Sequence, residues 1–195
     1  MFKRGFKAWC ENASHQARAR LGVDAHEPLD PFALAESLSV TVLYPSNIPG
    51  ISASALDTLL KDDSDSWSAV TLTLEPKPII VLNSTHSTAR RASDLAHELS
   101  HLLLVHKPSQ TGVSPDGFLL TAYDRVQEDE ANWLAGCLLL PREACLHVRR
   151  KRMDNLSIAR VYGISRDMVT YRLNMTGVDR QLGVSLPRTS TKSKS

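Results

Sequence analysis

The chain has 195 residues, of which 42% are hydrophobic and 23% charged, a balance typical of a globular protein with one substantial domain. No segment approaches the roughly 20 apolar residues that span a bilayer, and none resembles a signal peptide. The three cysteines, Cys10, Cys137 and Cys145, match no disulfide framework. These observations exclude a membrane protein and a disulfide scaffold, and they predict a cytoplasmic protein.

The formal net charge of +2 combines two parts of opposite sign. Residues 142–195 hold 12 of the 23 Lys and Arg but only 4 of the 21 Asp and Glu, which gives +8 there and −6 for residues 1–141. A basic C-terminal part can contact nucleic-acid phosphates. The alternative is a solvated basic face with a disordered tail, since charge alone specifies no site.

The hydrophobic pattern predicts an α+β fold. Helices are expected over residues 3–21 and over residues 32–38, the second capped by Asp30 with Pro31 at its first position. Alternating or short apolar segments predict strands at residues 39–44, 67–74 and 79–83. The short link between the last two strands indicates a hairpin, so we expect a small antiparallel sheet of about three strands packed against helices.

Two long helices and a helical C-terminal region follow. Ser87 is expected to cap the first long helix, which runs to about residue 105, and the second covers residues 123–140. Between them, residues 107–121 are predicted to form a loop of some size, and loops of this length are often functional lids or binding loops. We predict a first domain over residues 1–147, a helical C-terminal region over residues 148–182 and a disordered basic tail over residues 183–195.

The main motif is the HExxH sequence on the first long helix. His97 and His101, four residues apart, lie on one helix face, so two imidazole nitrogens can reach one tetrahedral metal ion. Glu98 lies beside them and is placed to act as the general base of a hydrolysis. The alternative is a helix with two ordinary hydrogen-bonded histidines.

Catalytic zinc usually has three protein ligands, so a third must come from elsewhere. On the second long helix Glu128, Ala131 and Asn132 share a face, and the small alanine permits close packing against the HExxH helix. Glu128 is predicted to be the third ligand, and Asn132 to orient a ligand histidine. Glu130 is the weaker alternative, because it points elsewhere and is expected to be exposed to solvent.

These motifs together resemble the ImmA/IrrE metallopeptidases over about residues 30–175. The segments that agree in order and spacing are residues 79–83, Arg90 and Arg91, residues 96–101, Glu128 with Ala131 and Asn132, and residues 138–141. Ser100 departs from the glycine common in that family, but serine is also small. In size and layout the chain is similar to the CapP-like group associated with CBASS anti-phage operons.

The resemblance implies a zincin-like domain with one zinc ion per chain, held by His97, His101 and Glu128, and with Glu98 as the catalytic base. It further implies a regulatory endopeptidase that makes a limited cut in a helix-turn-helix repressor and so releases stress or phage-defence genes. Stimulation by single-stranded DNA is expected from the basic C-terminal part. No oxyanion-stabilising residue is identified, although Tyr123 and His106 are near the site in sequence.

The C-terminal region leaves alternatives open. Residues 157–173 resemble a helix-turn-helix, which would direct Arg166, Thr170 and Arg172 to a DNA groove, but a packing unit is favoured. A cluster suited to phosphate binding precedes it, consisting of Arg149, Arg150, Lys151 and Arg152. The protein could instead be a DNA-binding regulator with a structural or degenerate metal site, or a scaffold that binds a repressor without cutting it.

Overall fold

The computed structural model describes residues 2–62, 64–72, 77–107, 110–113 and 119–183. The helices in these ranges are α1 (Phe6–Leu21), α2 (Pro31–Ser37), α3 (Ala53–Asp57), α4 (Thr88–Leu103), α5 (Arg125–Leu139), α6 (Arg142–Arg150), α7 (Asn155–Tyr162), α8 (Arg166–Thr176) and α9 (Val178–Gln181). The strands are β1 (Thr41–Leu43), β2 (Ala69–Leu72), β3 (Ile79–Leu82), β4 (Gln110–Val113) and β5 (Leu119–Ala122). This element content confirms the predicted α+β fold with a helical C-terminal region.

The larger sheet has three strands in the order β1-β3-β2 and is mixed. The predicted hairpin is confirmed, because β2 and β3 pair antiparallel with Val70 opposite Val81. However, β1 pairs with β3 in parallel, with Val42 opposite Ile80, so the sheet is not wholly antiparallel as predicted. The residues between β1 and β2 form α3 and short helical turns, and they return the chain to the same end of the sheet.

Residues 107–121 contain more regular structure than the predicted loop. Strands β4 and β5 pair antiparallel, with Thr111 opposite Thr121, and β5 lies beside β2. Residues 108–109 and 114–118 of this segment lie outside the described residues, as do residues 184–195 of the predicted tail. That the segment covers the site at rest stays a prediction.

Local sequence signals position the ends of several helices as predicted. The side chains of Asp30, Ser87 and Ser165 accept hydrogen bonds from backbone amides in the first turns of α2, α4 and α8. Asp124 and Gln127 form a reciprocal capping box at the start of α5. The two long helices therefore begin at fixed residues, and this fixes which of their faces meet.

Helices α4 and α5 pack closely against each other between the sheet and the C-terminal helices. The contact depends on small buried side chains, namely Ala96 on α4 and Ala131 and Ala135 on α5, which let the two backbones approach. Leu95 and Leu99 of α4 are fully buried on the side of the sheet. The HExxH helix is thus held on both sides, and its histidines point along the α4–α5 contact.

A buried arginine joins the C-terminal helices to the rest of the chain. Arg172 on α8 has no exposed surface and donates to the carbonyl of Leu140 and to Oε1 of Glu11 on α1, at 2.8 and 2.7 Å. The three residues of α8 that were predicted to face a DNA groove differ in exposure. Arg166 and Thr170 are exposed, whereas Arg172 is buried. The helix-turn-helix interpretation loses one of its three contact residues.

Cys10, Cys137 and Cys145 are buried free thiols. Among the described residues, no helix combines the length and the apolar character needed to cross a membrane.

Candidate metal centre

His97, His101 and Glu128 converge between α4 and α5. The Nε2 atoms of the two histidines are 3.0 Å apart, and the Glu128 carboxylate oxygens lie 3.2 Å from Nε2 of His97 and 3.5 Å from Nε2 of His101. The histidines come together because they are one helical turn apart, and Glu128 reaches them from the first turn of α5. The structure thus brings together the three predicted ligands.

The donor set fits a tetrahedral zinc ion. Bond lengths of about 2.0–2.2 Å to nitrogen and oxygen imply donor atoms about 3.4 Å from one another at the corners of a tetrahedron. The three distances here bracket that value, and the ligand atoms of this group all lie within 4.8 Å of one another. Two imidazoles and one carboxylate leave a fourth position for water or substrate, as catalytic zinc sites do.

Asn132 lies where it can orient His97. Its Oδ1 atom is 3.1 Å from Nδ1 of His97, and because an amide oxygen can only accept, Nδ1 must carry the proton. A neutral His97 then presents the lone pair of Nε2 to the other ligand atoms. This contact has the form predicted for Asn132 from its position one turn after Glu128.

Glu98 is half-buried beside the ligands, and β2 holds it in place. The hydroxyl of Thr71, a residue with 1% exposure, donates to Oε2 of Glu98 at 2.5 Å. Burial raises the pKa of Glu98 above its usual value, and the hydrogen bond from Thr71 opposes that rise. A carboxylate with a raised pKa accepts and returns a proton more readily near neutral pH. Sequence reasoning missed Thr71, because only the fold brings β2 next to α4.

Tyr123 lies against the opposite side of the ligand histidines. Its ring stacks on the ring of His101, with centroids 3.7 Å apart and an angle of 17° between the planes. Burial, together with the charges of Glu98 and Glu128, raises the pKa of Tyr123, so its hydroxyl stays a hydrogen-bond donor at neutral pH. Of the two residues considered for oxyanion stabilisation, Tyr123 is the one whose ring stacks on the ring of His101.

His106 and Glu130 lie on the Nδ1 side of His101, whereas His97 and Glu128 lie on its Nε2 side. Nδ1 of His106 is 3.0 Å from Nδ1 of His101, and Nε2 of His106 is 3.2 Å from Oε2 of Glu130. The side chain of Glu130 is only 15% exposed, so the expectation that it faces solvent was wrong. It does not join the ligand group, which agrees with the preference for Glu128.

Burial of His101 predicts acid sensitivity of the metal-free protein. Desolvation, with the nearby His97 and His106, lowers the pKa of His101 from 6.5 to about 3. Between these values the unfolded chain binds a proton that the folded chain does not, so stability is complete above pH 6.5 and falls as the pH decreases toward 3. Urea midpoints measured from pH 7.5 to 4 should decrease less steeply in His101→Gln than in the wild type. The exposed His15→Gln serves as the control, and equal slopes in all three proteins would contradict the assignment.

The predicted basic cluster divides into buried and exposed members. Arg149 is 7% exposed and forms an ion pair with Asp179 at 2.7 Å, so it holds α6 to α9. Arg150, Lys151 and Arg152 are exposed at the end of α6. Contact with nucleic acid stays a prediction, and it now depends on these three residues.

Two histidines and a glutamate that converge beside a half-buried glutamate, on two packed helices, define a site of the metallopeptidase type. The chain belongs to the peptidase M78 family: the family's IrrE N-terminal-like domain matches residues 35–174. The predicted resemblance to ImmA/IrrE proteins is therefore confirmed. No curated protein matches the chain in sequence.

A solved structure supports the fold. A Mycobacterium tuberculosis transcriptional regulator is similar to this chain with a TM-score of 0.51 and 15% sequence identity. The similarity covers 89% of this chain and 48% of that protein, so the chain spans about half of the regulator's length. At this identity the comparison supports the shared architecture of helices and sheet.

Proposed function

We propose that the protein is a zinc-dependent endopeptidase that makes a limited cut in a helix-turn-helix repressor and thereby releases stress or phage-defence genes. The observation that carries the proposal is the meeting of His97, His101 and Glu128 around one point, with Glu98 alongside. Membership of the M78 family supports a regulatory peptidase. The repressor as substrate follows from the resemblance to ImmA/IrrE proteins.

The residues divide the chemistry among themselves. His97, His101 and Glu128 would hold a zinc ion, which supplies a Lewis acid that polarises the peptide carbonyl and acidifies water. Glu98, held by Thr71, accepts the proton of the attacking water and then donates it to the leaving amine nitrogen. The Tyr123 hydroxyl is the nearby donor available to the developing oxyanion.

We further propose that DNA stimulates the cut through the exposed residues Arg150, Lys151 and Arg152. Phosphate contacts need little beyond exposed positive charge, and they weaken as salt rises. In this proposal the peptidase domain covers residues 1–147 and the region 148–182 is packed against it. The reduced state expected for the three buried thiols fits a cytoplasmic protein.

The test combines metal analysis with a cleavage assay. The purified wild type should contain about one zinc per chain, and Glu128→Ala should contain much less, because two histidines alone hold zinc weakly. Incubation with repressors encoded near the gene should give two fragments in intact-mass spectra, and cleavage should quicken with a single-stranded oligonucleotide at low salt. Zinc at equal stoichiometry in both proteins would refute Glu128 as a ligand, and an uncut repressor that stays bound would refute the peptidase in favour of a scaffold.

A further inference from the structure

We propose that His106 and Glu130 are positioning residues that fix the tautomer of His101 and so prepare it to bind metal. The role of these residues in metal binding rests on the proposed function, whereas their contacts with His101 do not depend on it. The three side chains form a chain of two contacts, 3.0 Å from His101 to His106 and 3.2 Å from His106 to Glu130. We call this chain of side chains the relay.

The direction of the relay follows from its last member. A carboxylate oxygen accepts, so Nε2 of His106 carries a proton and donates to Oε2 of Glu130. A neutral His106 then has a lone pair on Nδ1, which accepts from Nδ1 of His101. A neutral His101 therefore has its free lone pair on Nε2, the atom that faces His97 and Glu128.

The end of α4 is shaped to bring His106 back onto His101. The amide of His106 donates to the carbonyl of His101, and the amide of Val105 donates to the carbonyl of Leu102, which together form a Schellman turn. Val105 occupies the left-handed position with φ of 54° and is 78% exposed. A β-branched residue is unfavourable there, so surrounding contacts must hold the turn, and the relay is such a contact.

Burial strengthens the hydrogen bonds of the relay. The side chains of His101, His106 and Glu130 are 1%, 7% and 15% exposed, so water competes weakly for their hydrogen bonds. Tyr123 covers one face of the His101 ring, which prevents the imidazole from turning away. His97 receives the equivalent orientation from Asn132, so each ligand histidine has one partner at its outer nitrogen.

The first test uses the wild-type protein loaded with zinc, because the Nε2 atoms of His97 and His101, 3.0 Å apart, both present lone pairs only to a cation between them. Nitrogen-15 NMR of the imidazole rings at pH 7.5 should show His101 protonated at Nδ1 and His106 protonated at Nε2. His86, whose Nδ1 lies 2.9 Å from Asp94, serves as an internal reference for protonation at Nδ1. Protonation of His106 at Nδ1 instead of Nε2 would overturn the relay, and this result does not depend on whether the protein is a peptidase.

The second test measures zinc affinity by competition with a chromophoric chelator. His106→Leu should weaken zinc binding by about 10- to 100-fold, the usual effect of removing a partner of a ligand histidine. Glu130→Leu should also weaken it, whereas Glu130→Gln should restore most of the affinity, because an amide oxygen can still accept from His106. A purely structural role would not give this rescue.

The control variant removes a matched histidine–glutamate pair elsewhere. His15 lies 3.8 Å from Glu143, and both side chains are exposed, so His15→Leu should leave zinc affinity unchanged. If His106→Leu and Glu130→Leu bind zinc as tightly as the wild type does, the relay is refuted and the proposed function is not. A wild type that binds no zinc overturns the proposed function as well.

Discussion

Glu98→Gln should abolish most peptidase activity while the protein keeps its zinc. Loss of a general base typically lowers the rate by about 100- to 10,000-fold. Glu98 is absent from the ligand group, so glutamine at this position removes the proton acceptor and leaves the three donor atoms in place. Glutamine also retains an oxygen for the Thr71 hydroxyl, so the local packing changes little. The measurement is the rate of repressor cleavage by intact mass, with zinc content determined on the same sample.

Two variants sharpen this experiment. Glu143→Gln, a change of the same chemistry on the exposed start of α6, should cleave at the wild-type rate. Thr71→Val removes the hydrogen bond to Glu98 but leaves the carboxylate, so its rate should fall between those of the wild type and Glu98→Gln. Unchanged cleavage in Glu98→Gln would show that another group takes the proton.

The convergence of the candidate metal ligands was predictable from sequence because their geometry is mostly local. His97 and His101 meet through helix periodicity alone, and Ser87 fixes where that helix begins. Glu128 and Asn132 required one further step, the pairing of two helices through small residues such as Ala131. Only the pairing of the two helices required knowledge of a contact between distant parts of the chain, and the small alanine on α5 indicated it.

The supporting residues were not predictable, because the fold alone brings them to the site. Thr71 reaches Glu98 from a strand 27 positions earlier in the chain. His106 returns to His101 through a turn whose left-handed residue is Val105, where a glycine would have been the usual signal. Glu130 was predicted to be exposed from its helix position alone, whereas its side chain is 15% exposed and contacts His106. The parallel pairing of β1 with β3 has the same origin, since strand order is not a local property.

In the C-terminal region, positive charge alone did not identify which arginines are exposed and able to contact nucleic acid. Arg149 and Arg172 belong to a part of the chain with a balance of +8, and both were candidates for contact with nucleic acid. Instead, Arg149 forms an ion pair with Asp179, and Arg172 forms one with Glu11. A buried arginine needs several acceptors at once, and a sequence pattern does not reveal where those acceptors are.

Arg172→Met should destabilise the fold by about 3 kcal/mol, the lower end of the range for breaking a buried ion pair, since Glu11 is partly exposed. The change leaves the carbonyl of Leu140 and the carboxylate of Glu11 without their arginine donor. Gly136 shows how closely the side chain is fitted, because a Cβ atom there would lie 2.6 Å from Cδ of Arg172. Urea denaturation gives the free energy of unfolding directly.

The comparison on the same helix separates packing from DNA reading. The exposed Arg166→Ala should change the free energy of unfolding by less than about 0.5 kcal/mol. Adding Glu11→Met to Arg172→Met should not recover the loss, because the Glu11 carboxylate also accepts from the backbone amide of Arg142 at the start of α6. If Arg172→Met instead left stability unchanged and removed affinity for duplex DNA, α8 would be a recognition helix. The buried contacts of Arg172 with α1 and with the end of α5 favour a loss of stability. Through these contacts the C-terminal helices pack against α5, the helix that carries Glu128.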